Sequence, residues 1–171
     1  MDQVMEALLT RRSIRAFQKK PIAREDLEQI VEAGRYAPSA MGRQTWKFTV
    51  VCNREKIQKL AAVVGEVLGR ENYDMYQPEV LIIPSNARTT KFGRDDNACA
   101  LENIFLAAHS LGIGSVWINQ LNEICDEPKI REILDEFEIP ADHVVYGMAA
   151  LGYPAAEPKE PNKIGEVHFV E

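Results

Sequence analysis

The chain has 171 residues, a length that suits one domain with a single hydrophobic core. Its formal net charge of −6, with 46% hydrophobic residues, indicates a globular protein and argues against general affinity for nucleic acid or anionic membranes, and no run approaches the ~18 apolar residues of a membrane span. Three cysteines without CxxC spacing and three dispersed histidines indicate neither a disulfide framework nor a metal site, and they favour a reducing cytoplasm.

The first predicted helix covers residues 3–11 and ends in a basic cluster. Residues 11–15, here called the basic pentad, place three guanidiniums and one hydroxyl within five positions. A guanidinium binds phosphate through two parallel hydrogen bonds, and a serine hydroxyl with neighbouring backbone N–H groups can complete such a site. The alternative is that the arginines cap the helix in solvent, where the helix dipole favours cations. The residues concerned are Arg11, Arg12, Ser13, Ile14 and Arg15.

Helical and strand patterns then alternate along the chain. Glu25 and Asp26 stand in the first turn of the second helix, where they complement its dipole. Pro38 and Gly42 end the helical pattern and indicate a loop after it. The predicted elements are a helix over 24–35, a loop over 37–42, a strand over 46–52, a helix over 54–68 and a short buried strand over 80–83.

The second half continues with a helix whose apolar side chains fall on one face. It covers residues 95–111 and ends at Gly112 and Gly114. A strand over 115–118, a helix over 128–137 and a strand over 143–151 follow. Because the strands are separated by helices without a regular βαβ rhythm, the pattern predicts an α+β sandwich.

The tail from Gly152 contains three prolines and is expected to be extended. It ends in the strand-like residues 167–170, which are expected to add to the chain's own sheet or to a partner's. No dinucleotide fingerprint or P-loop occurs, since Gly112-Ile113-Gly114 continues as Ser-Val-Trp. A nucleotide phosphate at the basic pentad would therefore be held by side chains.

Four motifs stand in a characteristic order along nearly the whole chain. They are Arg-Arg-Ser-Ile-Arg-Ala-Phe over 11–17, Ala-Pro-Ser-Ala-Met-Gly-Arg-Gln-Thr-Trp-Lys-Phe over 37–48, the helix pattern from Asp96 to Gly114, and Ala-Leu-Gly-Tyr-Pro over 150–154. Together they resemble the signatures of the FMN-dependent nitroreductase family.

The resemblance implies one nitroreductase-like FMN-binding domain over residues 1–171, with a mostly antiparallel central sheet flanked by helices. It also implies an intertwined homodimer with two FMN sites at the interface, each built from both subunits. The C-terminal arm, about residues 153–171, would exchange its final strand between the subunits.

The resemblance further assigns residues at the phosphate and at the polar edge of the flavin. Arg11 and Ser13 would hold the FMN phosphate with Arg12 close by, and Lys163 matches the basic cluster of the family tail. Arg15 would face the N1 and C2 carbonyl edge as the catalytic residue. A guanidinium there stabilises the negative charge that two-electron reduction leaves on the ring.

Two further segments would contact the ring. Trp117, Ile118 and Asn119 match the segment that lies against the isoalloxazine, although a buried core tryptophan is the other interpretation. The loop residues Pro38, Ser39, Ala40, Gly42 and Gln44 would approach the same flavin from the other subunit, although the loop can also be a simple helix stop. Gly42 and Thr45 depart from the asparagine and proline common in the family, and glycine brings no side chain to the flavin.

The implied activity is ping-pong hydride transfer. NADH or NADPH reduces the flavin and leaves, and a small aromatic or quinone-like acceptor, such as a nitroaromatic, enters the same face. Dehalogenating or flavin-fragmenting relatives provide an alternative acceptor chemistry. A flavin carrier or sensor with little turnover is the alternative from another class, and nucleic-acid binding is disfavoured by the charge. No metal is expected.

Overall fold

Five α-helices and a five-stranded sheet make up the computed structural model, which describes residues 2–171. The helices are α1 (Gln3–Thr10), α2 (Arg24–Arg35), α3 (Arg54–Leu68), α4 (Gly93–Ser110) and α5 (Pro128–Glu136). The strands are β1 (Trp46–Val51), β2 (Val80–Ala87), β3 (Gly114–Ile118), β4 (His143–Val144) and β5 (Met148–Gly152). Short 3₁₀ turns occupy Ala40–Gly42 and Gln120–Asn122. This arrangement confirms the α+β prediction.

Local sequence explains where several helices begin and end. The Asp2 carboxylate accepts from the N–H of Val4 at 2.8 Å, and the Asn53 side chain accepts from the N–H of Lys56 at 3.0 Å. Both residues thereby satisfy N–H groups that a helix start leaves without a partner. Helix α3 ends at Gly69, whose φ of 63° is a left-handed conformation that glycine adopts without strain.

The sheet is antiparallel throughout, in the order β1-β2-β5-β3, and β4 pairs with the far end of β2. The two inner strands of this order, β2 and β5, are buried on both faces, with Leu81 opposite Ala150. Strands β1 and β3 form the outer edges. Strand β3 begins directly after the Gly112 turn that follows α4. The basic pentad reaches the outer edge of this strand, where Ser13 forms a bridge with Ser115.

Two hydrophobic cores lie on opposite faces of the sheet. One contains Ile57 and Leu60 of α3 with side chains of α5, and the other packs α2 and α4 through Ile30, Leu101 and Ile104. The second packing depends on a small residue, because a Cβ at Gly34 would lie 2.9 Å from the Cγ1 of Ile104. Burying these side chains against the sheet supplies the main stabilisation of the domain.

The sequence-based boundaries hold for α2 and α3 and need correction elsewhere. The strand predicted over 143–151 is two strands, β4 and β5, because residues 145–147 between them do not pair with β2. Strand β2 continues to Ala87 instead of ending before Pro84, which pairs with Phe48 despite having no N–H. Helix α4 begins two residues earlier than predicted, at Gly93.

The C-terminal arm is extended, and its first residues form hydrogen bonds with the segment that follows the basic pentad. Ala155 donates to the carbonyl of Ala16 at 2.9 Å, and Gln18 donates to the carbonyl of Tyr153 at 2.8 Å. Within residues 2–171, the strand-like segment 167–170 has no pairing partner and is not a strand, since an extended segment becomes one only beside another strand. Strand exchange therefore stays a prediction. None of the helices in this part of the chain combines the length and apolarity needed to cross a bilayer.

Candidate functional site

The basic pentad forms one wall of a cleft of about 430 Å³. The other wall belongs to the arm, so the two ends of the chain meet here. The lining residues are Arg11, Arg12, Ser13, Arg15, Lys159, Pro161 and Lys163. Five of these seven carry a positive charge and none is acidic, although the whole chain carries −6. Such a concentration of guanidinium and ammonium donors suits a phosphate dianion.

The pentad is extended and is fixed to β3 through its central residue. Ile14 is buried, and its N–H donates to the carbonyl of Ser115 at 2.9 Å. Ser13 forms a parallel bridge with Ser115, and Ser13 and Arg15 are both exposed on either side of Ile14. Because side chains alternate along extended chain, anchoring Ile14 inward turns Ser13 and Arg15 outward.

The first two arginines are held by different contacts. The Nε of Arg11 lies 3.5 Å from the Glu102 carboxylate, and its guanidinium carbon lies 5.8 Å from the centre of the Phe105 ring. Arg12 donates to the carbonyls of Leu9 at 2.7 Å and of Arg11 at 2.8 Å. Arg12 thus satisfies carbonyl groups at the end of α1, as the helix-capping alternative predicts, while it also lines the cleft.

A second cleft of about 320 Å³ lies beside the same two arginines. Its wall includes His109 at the end of α4, whose Nε2 lies 2.8 Å from the Thr10 hydroxyl oxygen. Burial lowers the pKa of His109, and the charges of Arg11 and Arg12 lower it further. The imidazole is therefore neutral near pH 7, and it does not add to the positive charge around the basic pentad.

The segment predicted to contact the flavin ring begins at Trp117 in β3, the strand to which the pentad is fixed. Trp117 is 37% exposed, which excludes the interpretation of a wholly buried core tryptophan. Its ring lies beside Phe105, with centroids 6.2 Å apart, and over Gly147, where a Cβ would come within 2.6 Å of the indole. Its Nε1 donates to the Asn119 side chain at 3.2 Å, while Ile118 is buried.

The predicted loop segment, residues 38–44, lies between α2 and β1 and is largely exposed. Met41, Gly42 and Gln44 have φ values of 56°, 64° and 47°, all left-handed. The Ser39 hydroxyl accepts from the N–H of Gln44 at 3.1 Å, and Asp96 accepts from the N–H of Ala40 at 2.9 Å. Neither cleft beside the pentad is lined by this segment.

The structure thus brings together only part of the predicted residue set. Arg11, Arg12, Ser13, Arg15 and Lys163 share one cleft, and β3 connects that cleft to Trp117, Ile118 and Asn119. The loop residues Pro38, Ser39, Ala40, Gly42 and Gln44 do not line this cleft.

Sequence reasoning missed four residues of this region. Lys159 lines the same cleft as the basic pentad, and Ser115 anchors the pentad. His109 lies beside Arg11, and Asp96 holds the loop. For Lys159, its position four residues before Lys163 in the same proline-rich segment was an available signal. The other three depend on tertiary contacts.

Comparison with known proteins decides the family. The nitroreductase family model matches residues 8–153. The chain belongs to the nitroreductase family. The matched range starts inside α1 and ends at Tyr153, so it includes the pentad, the loop and β3 but not Lys159 or Lys163.

Individual relatives are similar in sequence to this nitroreductase-family chain over nearly its full length. A protein of Archaeoglobus fulgidus, provisionally named NADH dehydrogenase/NAD(P)H nitroreductase, is 34% identical, covering 92% of this chain and 88% of its own. An NADPH-flavin oxidoreductase of Vibrio harveyi is 31% identical, covering 93% and 69% respectively. The crystal structure of a Bacteroides fragilis nitroreductase with bound FMN superposes with a TM-score of 0.93 at 40% identity, over 100% of both chains.

Proposed function

We propose that this chain is an FMN-dependent oxidoreductase that transfers a hydride from NADH or NADPH to an electron-poor acceptor such as a nitroaromatic or a quinone. The reaction is ping-pong, so the nicotinamide leaves before the acceptor enters. The observation that carries the proposal is the cleft that five cationic side chains from both ends of an acidic chain line together with Ser13. The flavin and nicotinamide chemistry named for the relatives supports the cofactor and the electron donor.

The donor set of the cleft fits a flavin phosphate. Arg11, Ser13 and Lys163 would hold the phosphate oxygens, and Arg12, bound to the carbonyls of Leu9 and Arg11, would keep this end of the cleft rigid. When bound, FMN supplies two-electron hydride chemistry.

The remaining roles concern the flavin ring. Arg15 would place its positive charge at the N1 and C2 carbonyl edge, and it has no salt-bridge partner within residues 2–171 that would neutralise it. Trp117, Ile118 and Asn119 would lie against the isoalloxazine, where the exposed indole edge of Trp117 limits the access of water to one side.

We also propose that the protein is a homodimer in which each FMN site uses both subunits. Helix α1 turns four large apolar side chains outward, and the arm exposes four more, which is the kind of patch that marks an interface. They are Val4, Met5, Leu8 and Leu9 on α1, and Ile164, Val167, Phe169 and Val170 on the arm. The loop segment 38–44 does not line the pentad cleft of its own chain, so Pro38, Ser39 and Ala40 would serve the partner's flavin together with Gln44 and the backbone of Gly42.

Flavin titration tests the phosphate site. We expect the apoprotein to bind FMN more tightly than riboflavin, which lacks the phosphate. Arg11→Ala should weaken FMN binding by roughly 10- to 100-fold, because hydrogen bonds to charged groups contribute about 1.5–3 kcal/mol, and should leave riboflavin binding unchanged. Lys19→Ala, at an exposed position outside the cleft, is the matched charge control. Equal losses for both flavins would refute the phosphate assignment.

Anaerobic stopped-flow measurements test turnover. Mixing the FMN-loaded protein with NADH or with NADPH should bleach the flavin absorbance, and a quinone or nitroaromatic should restore it. Steady-state lines for varied nicotinamide at several acceptor concentrations should be parallel, as ping-pong kinetics require. Tight FMN binding with no bleaching by either nucleotide would instead support the carrier or sensor function.

A further inference from the structure

One buried carboxylate connects the exposed loop segment 38–44 to the body of the protein. Asp96 stands in the first turn of α4 and is only 5% exposed. Its Oδ1 accepts from the backbone N–H of Ala40 at 2.9 Å. Pro38, Gly42 and Gln44 are exposed, so little side-chain packing holds the loop in place.

The loop conformation is one that the chain does not adopt readily by itself. Met41 and Gln44 are left-handed with φ of 56° and 47°, a conformation that is unfavourable for residues other than glycine. Such geometry persists where surrounding contacts impose it. A fixed attachment is therefore needed to keep these residues in place.

The other hydrogen bonds at the middle of the loop are internal to it. Gly42 donates to the carbonyl of Ser39 at 2.9 Å, Arg43 to the carbonyl of Ala40 at 3.2 Å, and Gln44 to the Ser39 hydroxyl at 3.1 Å. These bonds fix the conformation of the loop itself but do not attach the loop to the rest of the protein. Among the described residues, the bond to Asp96 is the side-chain hydrogen bond that joins the middle of the loop to a helix.

The position of Asp96 suits this task. A buried carboxylate is costly unless it accepts hydrogen bonds, and the positive end of the α4 dipole further favours a negative charge there. Its neighbour Asp95 occupies the same helical turn but is exposed. Asp95 therefore shares the interaction with the dipole without being buried, and it provides a matched control.

We propose that Asp96 is a positioning residue that fixes the loop segment 38–44 in the conformation with which it reaches the partner protomer's flavin. This inference rests on the proposed function, because it assumes that the loop contacts FMN. Asp96 itself acts through the backbone of Ala40 and does not touch the cofactor.

Amide hydrogen exchange of the apoprotein, followed by FMN titration, tests the proposal. Asp96→Ala should speed exchange of the amides in residues 39–44 by about tenfold and raise the Kd for FMN by about tenfold, because a hydrogen bond to a charged acceptor is lost. Asp96→Asn keeps an acceptor oxygen at the same place and should restore both values to near wild type. Asp95→Ala should change neither.

A second variant removes the same hydrogen bond from the loop side. Ala40→Pro deletes the donor while Asp96 stays intact, and Ser39 before it already has the extended φ and ψ of −127° and 148° that precede a proline. It should reproduce faster exchange at residues 41–44 and weaker FMN binding. This variant keeps the test decisive even where Asp96→Ala does not fold.

The outcomes separate the role of Asp96 from the proposed function. A wild-type protein that takes up no FMN refutes the proposed function. If the wild type binds FMN and the loop exchanges no faster in Asp96→Ala and Ala40→Pro, the positioning role is wrong. It is also wrong if exchange rises tenfold while the Kd for FMN stays at the wild-type value, or if Asp95→Ala has the same effect as Asp96→Ala.

Discussion

The backbone N–H of Ile14 donates to the carbonyl oxygen of Ser115 at 2.9 Å and so fixes the basic pentad to the edge of β3. Trp117 lies two residues farther along the same strand, roughly 7 Å away at the usual rise of a β-strand. One strand therefore sets the spacing between the phosphate cleft and the indole that we assign to the flavin ring. Changes at this contact should affect both ends of the cofactor site.

Gly114 controls how closely the pentad approaches β3. A Cβ at this position would lie 2.8 Å from the Cγ1 and 2.9 Å from the Cβ of Ile14, so Gly114→Ala must push the pentad outward. We expect a loss of about 1–3 kcal/mol in the free energy of unfolding, typical of overpacking, together with weaker FMN binding. Urea unfolding and FMN titration measure the two effects. Gly165→Ala, where nothing lies within 4 Å, is the control, and equal behaviour of the two variants would contradict the prediction.

Arg15 should influence the flavin's reduction potential. Removing its charge with Arg15→Ala destabilises the electron-rich reduced flavin, so the midpoint potential should become more negative by roughly 30 mV, which equals about 1.4 kcal/mol for a two-electron couple. Spectroelectrochemistry of the FMN-loaded protein measures this shift. Lys19→Ala, which removes a charge of the same sign at an exposed position outside the cleft, should leave the potential in place. A potential insensitive to Arg15→Ala would remove this residue from the catalytic role.

Short-range patterns were sufficient to predict much of the fold. The ends of α2 and α3 follow from apolar spacing and, for α2, from the acidic residues Glu25 and Asp26 in its first turn, because those signals act within a few residues. The break between β4 and β5 has no such signal. It coincides with Gly147, which lies under the Trp117 indole of a different strand, and only the assembled sheet shows that contact.

The sequence predicted those residues of the site that stand next to one another along the chain. Arg11, Arg12 and Arg15 were evident as a local excess of positive charge in an acidic chain. Asp96 was not, because a carboxylate in the first turn of a helix is already explained by the helix dipole. Its bond to Ala40, 56 residues earlier in the chain, arises only from the packing of α4 beside the loop.

Charged substitutions among the exposed apolar side chains of α1 and of the arm should weaken the proposed dimer. Leu9 is 53% and Phe169 is 81% exposed in one chain, so both would be buried only against a partner. Leu9→Glu and Phe169→Asp should shift the proposed dimer toward monomer in sedimentation equilibrium. Bound FMN should be lost in parallel, because each site would lack the partner's loop. Glu6→Gln, on the same helix, should sediment as the wild type does, and a monomeric wild type with full FMN occupancy would contradict the shared site.

His109 should make the protein less stable in acid. Burial, followed by the charges of Arg11 and Arg12, lowers its pKa below the ordinary value of 6.5. At pH values between the lowered pKa of the folded state and the ordinary pKa of the unfolded state, the unfolded chain binds more protons than the folded one. The free energy of unfolding therefore falls as the pH drops below about 6.5. Urea unfolding between about pH 7.5 and about pH 5 should show this slope in the wild type and a smaller one in His109→Gln. Part of the slope should remain, because burial also lowers the pKa of His143. An identical slope in the variant would mean that the imidazole of His109 is not held neutral beside the two arginines.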